Sequence, residues 1–109
     1  MNLHVHESEL AVDDCKRNIG ILVGENQGAL KGFCAGISYY DSHEYGVPGV
    51  HDDQEGFYIL AGTGTAKIGL VEFPIRPGSS FLAAKGVPHT MKRDRGSVSI
   101  KVLWFHGAV

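Results

Sequence analysis

The chain has 109 residues, enough for one hydrophobic core and too few for two, so a single domain over residues 1–109 is expected. A net charge of -2, and no basic run longer than Lys92-Arg93-Asp94-Arg95, argue against nucleic acid or an anionic membrane as partner. No apolar run approaches the ~18 residues of a membrane span and no signal-peptide pattern opens the chain, so a cytoplasmic location is expected, with Cys15 and Cys34 as reduced thiols.

Residues 8–14 read either as one helical turn capped by Ser8 or as an edge segment. His4 and His6 have the H-x-H spacing that sets two rings on one strand face, within what reads as a mobile terminus. Residues 18–24 and 30–40 are expected strands around the turn Glu25-Asn26-Gln27-Gly28, and Ile19, Ile21 and Val23 share a face by alternation. In the second strand Phe33, Ala35, Ile37 and Tyr39 alternate with Gly32, Cys34, Gly36 and Ser38, small residues that allow a backbone or ligand to approach closely. With no histidine or basic residue next to it in sequence, Cys34 reads as a core residue and not a nucleophile.

Residues 41–49 form a turn-rich connector carrying His43, and the stretch from His51 to Gly62 follows. It joins metal-capable side chains, His51 and Glu55, to Phe57-Tyr58-Ile59-Leu60, an apolar run expected to pack on both faces of a strand. An imidazole nitrogen and a carboxylate oxygen together suit Zn, Fe, Mn, Ni or Co, provided a third ligand arrives from elsewhere. His89, in the turn Lys85-Gly86-Val87-Pro88-His89, is the candidate.

After the Gly62-Thr63-Gly64 turn, residues 65–73 read as one strand broken by Pro74, and residues 79–83 as another. The basic run at Lys92 reads as a solvated turn. In the last strand, residues 97–106, Val98, Ile100, Val102, Trp104 and His106 share one face. Seven or so short strands, with fifteen glycines and four prolines spread among them, indicate an all-β barrel or sandwich.

At this point the residues resemble the single-domain cupins, small double-stranded β-helix (jelly-roll) barrels. His51-x3-Glu55-x6-Gly62 matches the latter part of the family's first motif, which spans residues 46–62 here. Gly78-x5-Ala84-x-Gly86-x2-His89 matches the second motif, over residues 78–93, with Ala84 in place of proline. The resemblance implies a divalent metal held by His51, Glu55 and His89, a small-molecule ligand and a homodimer. Two further positions depart from it: Gly49 stands where the first motif has its first histidine, and Arg93 where the second has asparagine. His43, Asp53 and His106 are the candidates for an additional ligand or a pocket-lining role.

Three functions are compatible with this reading. One is a metal-dependent enzyme of oxygenase, isomerase or decarboxylase type acting on a small polar organic molecule. Another is a non-catalytic ligand-binding or sensor cupin without metal. The third is metal-free chemistry with a histidine base beside Asp52 or Asp53.

Overall fold

The computed structural model describes residues 3–10 and 20–109. Its strands are β1 (Gly20–Val23), β2 (Cys34–Tyr40), β3 (Gln54–Ala61), β4 (Gly64–Ile68), β5 (Val71–Ile75), β6 (Ser80–Ala83), β7 (His89–Arg93) and β8 (Ile100–Gly107). They form two antiparallel sheets, ordered β1-β2-β8-β3-β6 and β5-β4-β7. The chain passes from one sheet to the other between β3 and β4, β5 and β6, β6 and β7, and β7 and β8, which is the jelly-roll arrangement. Only two short 3-10 turns, Glu7–Glu9 and Glu25–Gln27, interrupt the all-β character of the described residues. No helix among them is long and apolar enough to cross a membrane.

Cross-strand register decides which side chains meet inside. Phe57 faces Trp104 on one side and Phe81 on the other, Ile59 faces Val102, and Tyr40 faces Ile100. These join Ala66, Ile75, Ala83 and Met91 in one apolar core between the sheets. One row further along, the same inward face carries Glu55, His106, Cys34 and Ala83 in register. The interior is therefore apolar through its middle and acquires its polar groups at one end.

Several local expectations change. Phe57 and Ile59 are buried, but Tyr58 and Leu60 are each 42% exposed, so β3 packs on one face and not on two. An unbroken apolar run cannot distinguish the two cases, because a strand's faces are separated by register and not by composition. The strand expected over residues 65–73 is instead a hairpin, β4 and β5, turning at Gly69 and Leu70. Gly69 takes a φ of +60°, a conformation glycine adopts without steric cost. Pro74 lies inside β5, paired with Thr65. β5 is an edge strand, so the N–H that proline lacks is not needed by a further neighbour.

β2 begins only at Cys34, four residues later than expected, since Lys31 and Gly32 take positive φ values and turn the chain. The basic run is part strand: Arg93 ends β7, and its half-buried guanidinium donates to the carbonyl oxygens of Asp41 (2.8 Å) and Ser97 (2.5 Å). The expected cap Ser8 is itself capped, its N–H donating to His6 Nδ1 at 3.1 Å at the start of the Glu7–Glu9 turn. Lys101 Nζ, 2.9 Å from Glu7 Oε1, fastens this segment to β8. Cys15, the remainder of residues 8–14 and the start of the strand expected from Asn18 lie outside the described residues.

The close approach expected along β2 occurs at Gly36. A Cβ there would lie 2.3 Å from both the Gly20 carbonyl oxygen and the Trp104 ring, so β1 and Trp104 occupy the space that a side chain would take.

Candidate metal centre

His51 stands in the loop just before β3, and Glu55 is the second residue of that strand, facing inward beside His106 of β8. His89 opens β7, paired with Ile68 of β4 on one side and bridged to Gly49 on the other by two backbone hydrogen bonds of 2.9 Å. Gly86 N–H donates to the His51 carbonyl at 2.9 Å, tying the loop before β7 to the loop before β3. Two segments far apart in sequence are thereby brought together.

Glu55 Oε1 is the point of convergence. His51 Nε2 lies 3.1 Å from it, His89 Nε2 3.3 Å and His106 Nε2 3.5 Å. The ligand atoms of His51, Glu55 and His89 all fall within 4.8 Å of one another. The side chains of Glu55 and His89 are 7% exposed and that of His51 44%, so the cluster is buried with one open flank. Despite these neighbours Glu55 Oε1 is buried and accepts no hydrogen bond. A buried carboxylate oxygen is costly to desolvate unless a cation or donors compensate it.

Burial pushes the Glu55 carboxyl up to about 7; the His106 ring opposes the shift and Asp53 adds to it. Burial also holds His89 below the ordinary histidine value, reinforced by the neighbouring His51 ring, so its ring is neutral and able to act as a ligand near neutral pH. A nitrogen-rich set with one carboxylate fits a divalent first-row metal, whose charge would compensate the buried oxygen.

The remaining candidates separate clearly. Asp53 Oδ1 is 2.8 Å from His106 Nδ1, so these two residues meet each other at the edge of the cluster. His43 is engaged elsewhere: its Nδ1 contacts the Arg93 carbonyl at 3.0 Å and its Nε2 the Arg93 guanidinium at 3.4 Å. Asp52 is exposed. Burial, then Asp53 and Glu55, push the Cys34 thiol up, which disfavours the nucleophilic thiolate. Tyr40, absent from the candidates, has its phenol pushed up to about 12 by burial and by Glu55. Its inward position was legible only through the register of β2 against β8.

Gly49 faces the cluster. A Cβ on it would lie 2.8 Å from His89 Nε2, closer than real Cβ contacts come, and a tight 3.1 Å from His89 Cε1. Gly49→Ala is therefore expected to displace the His89 ring and, for the metal binding proposed below, to lower zinc affinity by roughly 10-fold or more, the scale on which ligand-orienting changes act. Competition titration checks this, and an unchanged affinity would show that the ring has no fixed position to lose.

A family model described as "Cupin domain" matches residues 37–106. Comparison with curated proteins returns no match. Among solved structures, the polyketide cyclase RemF from Streptomyces resistomycificus superposes with a TM-score of 0.74 at 19% identity, over 97% of this chain and 79% of that one. The Cnp3 cupin domain of Schizosaccharomyces pombe gives 0.70 at 15% identity; the alignment covers 83% of this chain but only 59% of that one. HppE solved with Co(II) and substrate gives 0.65 at 18% identity, over 80% and 50% of the two chains, and its Fe(II) form 0.62 at 17%. At such identities the structural likenesses speak for the fold alone. The family match spans both histidine-bearing segments, five of the eight strands in full and most of β2 and β8, and on that match the chain belongs to the cupin family.

Proposed function

We propose that this cupin binds a divalent metal through His51, Glu55 and His89 and acts as a metal-dependent enzyme, of oxygenase, isomerase or decarboxylase type, on a small polar organic molecule. The observation that carries the reading is the buried Glu55 Oε1, which accepts no hydrogen bond yet has imidazole nitrogens at 3.1 and 3.3 Å. The Co(II) and Fe(II) forms of HppE support it as examples of metal held on a similar barrel.

When bound, the metal supplies Lewis acidity toward a coordinated oxygen. The chain's own residues do the rest. Phe57 and Trp104, in the row beneath Glu55 and His106, close the floor of the site with apolar surface and exclude water. Tyr40 keeps its phenolic proton throughout the physiological range. A cavity of about 620 Å³ is lined in part by Val5, Ile21, Phe33 and Cys34 and in part by the polar loop residues Glu25, Gln27 and Lys31, and Cys34 is the cross-strand partner of His106. We assign the approach of a small ligand to that side.

The test is the metal content of protein purified without a histidine tag, followed by competition titration. One metal per wild-type chain is expected, lost in His51→Ala, Glu55→Ala and His89→Ala and kept in His43→Ala. A wild type that takes up none after metal-supplemented purification overturns the reading. The 2.8 Å contact of Asp53 with His106 then favours metal-free acid–base chemistry, with His106 as base and Asp53 as its partner.

A further inference from the structure

We infer that His106 is a third imidazole ligand to the same metal, supplied by β8 in place of the ligand that is missing at Gly49. The inference rests on the metal-binding reading above and deepens it. Four observations carry it.

His106 Nε2 lies 3.5 Å from Glu55 Oε1, beside the 3.1 and 3.3 Å of His51 and His89, so three ring nitrogens surround one buried oxygen. The His106 side chain is only 13% exposed, and its ring meets His51 edge to face at 4.9 Å and Trp104 at 5.4 Å, which limits its rotation. Its other nitrogen, Nδ1, is 2.8 Å from Asp53 Oδ1. A carboxylate accepting the Nδ1 proton fixes the tautomer that leaves Nε2 with a free lone pair, the usual setting of a metal-bound histidine. Finally, position 49 faces the cluster but carries no side chain, and a Cβ there would already crowd the His89 ring.

Gly49 approaches from the three-stranded sheet through its bridge to β7, whereas His106 comes from the five-stranded sheet. The donor set becomes three imidazoles and one carboxylate, with Asp53 as a positioning residue. A purely structural histidine would spend Nε2 on a backbone group; here it is turned toward Glu55.

Pulsed electron paramagnetic resonance of the Cu(II)-loaded protein counts coordinated imidazoles directly, and wild type decides without any variant. Three are expected, falling to two in His106→Gln and staying at three in Asp53→Asn. Zinc affinity, read by competition, should fall roughly 100-fold or more in His106→Gln and by about 10- to 100-fold in Asp53→Asn. A wild-type count of two that His106→Gln leaves unchanged while His51→Ala lowers it overturns the inference and leaves the metal-binding reading standing. No Cu(II) or zinc uptake by wild type, or uptake untouched by His51→Ala, overturns both.

Discussion

Glu55→Gln is expected to abolish metal binding and, at the same time, to stabilise the metal-free protein at pH 8. The two effects share one cause. The side chain is buried, and its carboxyl is pushed from the ordinary 4.5 to about 7, chiefly by desolvation. Because the folded-state value is raised, the native protein holds a proton between pH 4.5 and 7 that the unfolded chain has released. Stability therefore falls as pH rises through that window: no penalty below it, the full penalty above. Allowing for the partial solvent contact at the open flank, the penalty is on the order of 2 kcal/mol.

Glutamine is neutral at every pH and escapes this penalty. Urea denaturation in the presence of a chelator should show the variant gaining on wild type from pH 5 to pH 8 by about that amount. A bound cation reverses the sign for wild type, since the ionised carboxylate is then the favoured form. Loss of zinc affinity in Glu55→Gln should exceed the roughly 100-fold that removal of an outer-shell partner can cost. The same stability difference at both pH values would mean that Glu55 ionises as freely in the fold as outside it.

The second large effect is expected at Phe57. Its ring is 1% exposed, stacks on Phe81 at 4.9 Å and leans on His89 at 5.2 Å. Phe57→Ala removes the shared surface between the apolar core and the floor of the site, at a cost of about 3–5 kcal/mol. That is a large share of the roughly 5–15 kcal/mol available to a domain. Tyr58→Ala, one residue along and outward-facing, should cost less than about 1 kcal/mol. Equal costs would contradict the inward and outward assignment of β3. In the folded fraction of Phe57→Ala, zinc affinity should also drop, because His89 loses the ring that backs it.

How much of this was legible beforehand varies residue by residue. Alternation in residues 97–106 placed Val98, Ile100, Val102, Trp104 and His106 on one face; β8 begins only at Ile100 and has the last four there, because a period of two follows from strand geometry, while Val98 precedes the strand and is 70% exposed. The apolar run Phe57-Tyr58-Ile59-Leu60 misled for the complementary reason. Tyr58 and Leu60 satisfy a strand pattern equally well whether they are covered or exposed. In residues 65–73 the alternation passes through Gly69 and Leu70 without a break, yet the chain folds back there, as the positive φ of Gly69 permits.

The sequence by itself determined the all-β class and the two histidine-bearing segments, since strand periodicity, turn glycines and ligand spacing are local properties. It also identified His51, Glu55 and His89 as side chains with the right chemistry. Tertiary structure alone decided which groups share a point in space. Asp53 and His106 meet because Glu55 pairs with His106 across β3 and β8, and His89 arrives because Gly49 and β7 bridge. His43, eligible by residue type, is drawn instead to Arg93. Contacts of this kind depend on register between strands distant in sequence, and register is set by how the whole core packs, which no local pattern encodes.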